Sequence, residues 1–271
     1  MPTFSQTTFA SFFKRILQFG HSGNNGTPTS TTNIQSGDGV ATSVSLSDDV
    51  LQVQPQNDDT TGTFLVKNNA GNNILAVDTD NSKLLGGASQ TALNTQYAYF
   101  GIDSGGSSGF SSDQHYAIVF NNSTVSISSG IAMGSSTSSS FNDTNPASSL
   151  TISSTADDMV LTYWYVPDNI TIDAVTWFHG ADAADGDSTA AHLMSYSIDT
   201  DNSTTSGDLS SGTVVADGAT ITNAGYEQIY YQSMTVQSAD VDGGKVILFT
   251  FASDTVNSDY SINATVKYHI R

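Results

Sequence analysis

The sequence predicts an all-β protein, and three observations lead to this prediction. Short apolar runs recur along most of the chain, separated by clusters of Gly, Asn, Asp and Ser that favour turns. Several runs alternate apolar and polar residues, as residues 170–174 do, which is the period of a strand with one buried face. Only residues 7–20 show the period of an amphipathic helix.

Residues 7–20 are expected to form this helix at the N-terminus. Its apolar stripe recurs at i, i+3, i+4, i+7 and i+8 and consists of Phe9, Phe12, Phe13, Ile16 and Leu17. Thr7 or Thr8 can cap the start, and Gly20 can end it. A helix of about 12 residues is marginal alone. The stripe therefore packs on its own protein, or it docks onto another protein or onto sister copies, and we expect docking.

Residues 61–87 predict a β-hairpin, with an Asn- and Gly-rich turn at residues 67–73. Its strands carry apolar residues on both faces, because Leu65 points away from the face of Phe64 and Val66. A two-stranded hairpin cannot bury its own apolar face in water. We therefore expect other copies of the chain to cover it. The residues expected to be buried between copies are Phe64, Val66, Ile74, Leu75 and Val77.

The C-terminal part of the chain predicts a β-sandwich of jelly-roll type. Eight strands with Gly, Asp and Asn loops between them support this prediction. They are expected at residues 115–120, 159–166, 170–178, 190–198, 214–221, 226–236, 246–252 and 260–270. A tract rich in Ser, Thr and Gly interrupts them at residues 123–154, either as an excursion over the surface or as a flap.

Composition places the domain boundaries. The Gly- and Ser-rich residues 104–112 are expected to separate the head from everything before it. The predicted parts are a helical anchor at residues 1–20, a linker at 21–41, a β segment at 42–103 and a head domain at 111–271.

Charge and cysteine content limit the partners and the chemistry. The 271 residues include 26 Asp and Glu but only 7 Lys and Arg, which gives a formal net charge of −19. Nucleic acid and anionic bilayers would be repelled, so we expect neither as a partner. The absence of cysteine excludes disulfides and thiolate metal sites. No run of 18 apolar residues is present, so no membrane insertion is expected.

No set of residues indicates catalysis, a cofactor or a metal. Residues 78–82 and 199–203 both read DTDNS, the start of a calcium loop, but they lack the later Gly and Glu, so ordinary Asx turns are expected. The five histidines lack metal-ligand spacing, and Glu227 is the sole glutamate. A denser acidic loop holds Asp182, Asp185 and Asp187.

Aromatic residues cluster in the predicted head. Neighbouring residues of a strand point to opposite faces, so one set of rings is buried and the other faces outward. The outward rings pack on a sister subunit, stack on a sugar or receptor, or are simply exposed. The aromatic residues concerned are Tyr163, Trp164, Tyr165, Trp177, Phe178, Tyr230 and Tyr231.

Residues 43–101, with their Asn/Gly turn, "ILAVDT" strand and small-residue exit, resemble the trimeric fibre modules of tailed-phage tail fibres and related virion proteins. The resemblance implies a homotrimer with a slender β fibre segment, located in the virion. Its N-terminal helix would hold a tail adaptor, portal-proximal or capsid protein, and its head would bind a host surface glycan or receptor through multivalent contacts. The alternatives are a capsid-decorating or head-fibre protein and a polysaccharide-degrading fibre enzyme.

Overall fold

The all-β prediction is confirmed by a computed structural model of the chain. The described residues are 17–19, 28–36, 38–87, 91–103, 110, 114–121, 131–133, 145–152, 156–182, 185–254 and 259–271. Most of them lie in antiparallel strands. The chain divides into two compact units, Met1–Asn94 and Thr95–Arg271.

The first unit contains two four-stranded sheets, each with its strands in sequence order. The strands of one sheet are β1 (Leu17–Phe19), β2 (Thr32–Ser36), β3 (Ala41–Leu46) and β4 (Leu51–Val53). The strands of the other are β5 (Phe64–Lys67), β6 (Asn73–Asp78), β7 (Lys83–Gly86) and β8 (Thr91–Ala92).

The predicted helix is wrong at its C-terminal end. Leu17–Phe19 form β1 and pair antiparallel with β2. A short helix without tertiary support gains little from its own hydrogen bonds, whereas β2 offers a ladder that satisfies these backbone groups. Leu17 is therefore a strand residue. The other members of the predicted stripe lie outside the described residues, namely Phe9, Phe12, Phe13 and Ile16.

The hairpin prediction is confirmed at β5 and β6, which pair antiparallel. The turn follows from the side chain of Asn68, whose Oδ1 accepts hydrogen bonds from the amides of Ala70 (3.0 Å) and Asn72 (2.9 Å). Gly71 has φ of +87°, which glycine adopts without strain. Strands β7 and β8 extend the hairpin to a four-stranded sheet.

The second unit contains thirteen described strands and one short helix, α1 (Ala156–Met159), followed by a 3₁₀ turn at Val160–Thr162. The strands are β9 (Thr95–Asp103), β10 (Gln114–Ala117), β11 (Ile131–Ala132), β12 (Trp164–Val166), β13 (Ile170–Asp182), β14 (Ser188–Ile198), β15 (Leu209–Asp217), β16 (Ile221–Thr222), β17 (Glu227–Ser233), β18 (Thr235–Val236), β19 (Asp240–Val241), β20 (Lys245–Ser253) and β21 (Asp259–Ile270).

Eight of these strands form two facing sheets. One sheet runs β9-β21-β13-β17, and the other contains the run β10-β20-β14-β15. Numbered one to eight along the chain, the two orders are 1-8-3-6 and 2-7-4-5, which is the strand order of a jelly roll. We call the first the front sheet and the second the back sheet. Shorter strands extend both, with β19 on the front sheet and β11, β12, β16 and β18 on the back sheet.

The boundary predicted at residues 104–112 is wrong, because β9 belongs to the second unit. It pairs with β21 over nine residue pairs, and Phe100 is fully buried between the two sheets. The Gly- and Ser-rich residues lie between β9 of the front sheet and β10 of the back sheet. The segment therefore joins two strands of one unit, and of its residues only Phe110 is among the described ones.

The central strands β14 and β20 of the back sheet are buried on both faces. The inner face of this sheet packs on the front sheet, where Trp177 lies 6.0 Å from Phe251 between ring centroids. On the outer face of the back sheet, Met133 and Leu150 of the predicted excursion at residues 123–154 pack in one cluster with Met194 of β14 and Leu248 of β20. Because β20 is buried on both faces, its residues 246–252 are apolar except for Thr250 and do not alternate.

The strand predicted at residues 159–166 is wrong in its first half. α1 carries Asp157 and Asp158 in its first turn, where the helix dipole favours acidic side chains. The Thr162 hydroxyl donates to the carbonyl of Met159 at 2.7 Å, which satisfies a group at the end of the turn. Only residues 164–166 of the predicted strand extend along β20.

Candidate interaction surfaces

The prediction that neighbouring aromatic residues face opposite ways is confirmed. Trp164 and Trp177 are buried between the sheets, whereas Tyr165 and Phe178, the residues that follow them, are exposed. The Trp177 indole nitrogen donates to Oε1 of Gln232 at 3.1 Å, so its polar atom is satisfied in the core. One set of rings therefore stabilises the jelly roll, and the other set is available at its surface.

The outer side of the front sheet carries an exposed group of large side chains that we call the aromatic face. Its members are Tyr97, Tyr99, Phe178, Ile229 and Tyr231. They come from three strands, since β9 supplies the first two and β17 the last two. Sequence reasoning identified Phe178 and Tyr231 alone, because the other three join them only when the sheet assembles.

Two rings of the aromatic face are held in place by neighbours. Phe178 and Tyr231 are cross-strand partners, and their ring centroids lie 5.0 Å apart at an interplanar angle of 49°. The hydroxyl of Tyr231 is also 3.1 Å from the Ser233 hydroxyl on the same strand. Because these contacts already restrict the rotamers of both rings, less side-chain conformational entropy is lost when a ligand binds there.

The middle of the aromatic face is uncharged. Cross-strand registers place Asn263 beside Phe178, and they place Thr176 and Thr265 in one row with Tyr99. Among the described side chains that face outward, charge lies at the two ends of the sheet. Lys267 and Asp240 are at one end, and Asp182 and Glu227 are at the other.

The sheet of β5 to β8 carries a second surface, which we call the apolar face. Its members share one side of the sheet because they are cross-strand partners or alternate along a strand: Phe64, Val66, Leu75, Val77, Leu84 and Leu93. Leu93 lies over Gly86, where an added Cβ would be 2.8 Å from the leucine Cδ2. Four of the six side chains are exposed and the other two are half-buried.

Four of the five residues predicted between copies lie on the apolar face. Ile74 does not, because it alternates with Leu75 and points to the opposite side with Leu65 and Ala76. Ile74 and Leu65 are exposed there, and Ala76 is buried. Both sides of this sheet therefore carry exposed apolar residues, as predicted. That other copies cover them stays a prediction.

The two DTDNS segments form the expected Asx turns. Oδ1 of Asp78 accepts from the amide of Asn81 at 2.9 Å, and Oδ1 of Asp201 accepts from the amide of Ser203 at 2.7 Å. Both segments thus satisfy their own backbone. Within the described ranges, no three His, Asp or Glu side chains are grouped so that they could hold a metal ion.

A buried polar chain joins the two sheets of the jelly roll. Nε2 of His179 donates to Oδ1 of Asn223 at 3.0 Å, and Nδ2 of Asn223 donates to the Tyr260 hydroxyl at 3.2 Å. That hydroxyl lies 3.3 Å from Oδ2 of Asp187. The His179 ring is stacked between the rings of Trp177 and Tyr230. Because His179 is fully buried, a substrate has no access to it, and the chain of bonds is structural.

This environment predicts acid sensitivity. Burial lowers the pKa of His179 below its ordinary value of 6.5, and the bond to Asn223 only partly opposes the shift. The unfolded chain then binds a proton near pH 6.5 that the folded chain resists. Stability is therefore lost as pH falls from about 6.5 toward the folded pKa. We expect the urea midpoint to fall between pH 7 and pH 5, and to fall less in His179→Gln. Identical pH profiles for the two proteins would contradict this.

Two other buried histidines pair with carboxylates. Nδ1 of His269 lies 3.0 Å from Oδ2 of Asp173, and Nε2 of His192 lies 3.2 Å from Oδ1 of Asp217. Burial of both imidazoles makes these pairs structural. Among the described helices, none is long and apolar enough to cross a membrane.

The geometry thus offers two exposed surfaces for contact with other molecules. Comparison with known families finds no family model that matches the chain, and comparison with curated proteins finds no similar sequence.

Proposed function

We propose that this chain is a structural virion protein, a homotrimeric tail fibre that attaches the particle to the host surface. The observation that carries the proposal is the apolar face. Burying a Val, Leu or Phe side chain is worth about 1.5–3 kcal/mol relative to leaving it exposed, and contiguous exposed patches of this kind mark interaction sites.

Sister copies are the occupants that suit the apolar face best. The chain carries a net charge of −19, so its copies repel one another over most of their surface. The six side chains of the apolar face carry no charge, so contact there avoids this repulsion. Self-association through a sheet with exposed apolar residues on both sides also agrees with the trimeric fibre modules that residues 43–101 resemble.

The jelly roll supplies the attachment part of the proposal. Jelly rolls occur in viral capsid proteins and in lectins. This is an analogy at the level of fold, and the function must come from the surface. In the proposed trimer each chain contributes one aromatic face, so that weak contacts with a host surface act together.

Residues 1–20 are the proposed anchor to other virion proteins. The stripe of Phe9, Phe12, Phe13 and Ile16 would dock on a tail adaptor, a portal-proximal protein or the capsid. At its end, Leu17–Phe19 continue into the first sheet as β1. The proposal involves no enzymatic activity and no cofactor.

The second candidate function is decoration of the capsid. The exposed apolar face favours it, because such a face can also lie against a shell. Antibodies raised against the purified chain separate the two functions by electron microscopy of particles. We expect the antibody label at the tail, and we expect particles treated with the antibody to adsorb more slowly to host cells. Label spread over the capsid supports decoration, and particles without label contradict both.

A further inference from the structure

We propose that the aromatic face binds an uncharged glycan chain. The inference rests on the proposed attachment function and names its ligand. Its basis is the pattern of the outward side chains on the front sheet, where exposed rings alternate with hydroxyl and amide groups across four strands.

The rings suit the apolar faces of sugar rings. An aromatic ring carries negative charge on its face, so it attracts the weakly positive C–H groups that a pyranose presents on one side. Tyr97 and Tyr99 lie two residues apart on β9 and point to the same side. Phe178 and Tyr231 lie together on the neighbouring strands β13 and β17. The sheet therefore presents two stacking positions, separated by the strand β21.

The sheet surface near the two stacking positions can form hydrogen bonds with sugar hydroxyls. Thr176 and Thr265 lie in the row of Tyr99, and Asn263 lies beside Phe178 on β21. They offer two hydroxyls and one amide, each of which can both donate and accept hydrogen bonds. The centre of an interface between copies is commonly more apolar than this surface. The polar side chains here therefore favour a glycan over a second copy as the ligand.

Charge selects a neutral glycan. The chain carries a net charge of −19, and an anionic polysaccharide would be repelled on approach. Of the described side chains on the face, only Lys267 is basic, and it lies at one end. A cationic ligand would find acidic side chains only at the ends of the sheet, with Asp182 and Glu227 at one end and Asp240 at the other. The uncharged centre is complementary to an uncharged polymer.

Native electrophoresis of the full chain through gels that contain a polysaccharide tests this inference. The neutral probes are dextran, a mixed-linkage β-glucan and galactomannan, and the anionic probe is hyaluronate. We expect retardation by at least one neutral polymer and none by hyaluronate. Tyr99→Ala and Tyr231→Ala should each raise the dissociation constant obtained from the retardation about tenfold, which is typical for the loss of one stacking ring.

Tyr165→Ala is the matched control. Tyr165 is 55% exposed, close to the 58% of Tyr231, but it lies on β12 of the back sheet. Its loss should leave retardation unchanged. The inference is overturned if no neutral polymer retards the protein, or if the Tyr99 and Tyr231 variants are retarded like the original chain. It is also overturned if those variants lower the molar mass in solution, because the face then lies between copies. Antibody label on particle tails together with any of these results leaves the proposed function intact.

Discussion

A fragment of residues 95–271 is expected to fold alone into a soluble β protein with one cooperative thermal transition. It contains all eight strands of the jelly roll, and its sheets share one core between them. Circular dichroism should show a sheet spectrum at 20 °C. A melting scan followed in the near and far ultraviolet should give coincident transitions.

The shorter fragment 111–271 is expected to aggregate or to melt without cooperativity. It lacks β9, which pairs with nine residues of β21 and places Ala98, Phe100 and Ile102 in the core. Without β9, the edge of β21 and the core beneath it are exposed to water. A fragment 111–271 that melts as cooperatively as 95–271 would show that β9 is dispensable.

Single strands are more predictable from the sequence than their arrangement. Residues 170–178 alternate so regularly that β13 is expected, and the strand continues to Asp182. The jelly-roll strand order depends on contacts between residues far apart in the chain. For example, β9 pairs with β21 across more than 150 residues, as Phe100 does with Ala264. The local periodicity of a sequence does not predict which distant strands pair with each other.

Two errors have identifiable physical causes. Residues 104–112 have the composition of a linker, but Gly and Ser are equally favoured in a connection between two strands of one domain. Residues 7–20 have the period of a helix, yet Leu17–Phe19 join a sheet because β2 lies beside them. In both cases tertiary context decides between structures that local sequence allows.

The candidate surfaces were only partly predictable. Alternation along β6 already separates Ile74 from Leu75, so the division of the two faces follows from the sequence. Leu84 and Leu93 join the apolar face through cross-strand pairing, which the sequence does not show. The same holds for Tyr97, Tyr99 and Ile229 on the aromatic face.

Substituting Val66→Asp is expected to separate the copies of the chain. Val66 is 42% exposed on the apolar face, and its partner Leu75 lies beside it. In an assembly, each copy would bury an unpaired carboxylate, which costs several kcal/mol per site. In a separated chain the carboxylate is solvated, so the sheet spectrum should remain. Light scattering should show that the mass falls to that of one chain.

Val50→Asp is the control for this substitution. Val50 is 47% exposed and lies in the turn between β3 and β4, which belong to the other sheet of the same unit. The same charge there should leave the mass unchanged. A Val66→Asp protein that keeps the mass of the original chain would show that the apolar face is not buried between copies.

Light scattering of the intact purified chain measures most directly whether copies cover the apolar face. We expect one species with three times the chain mass of 28.4 kDa, unchanged on moderate dilution. A stable, folded species of 28.4 kDa would contradict the proposed homotrimer.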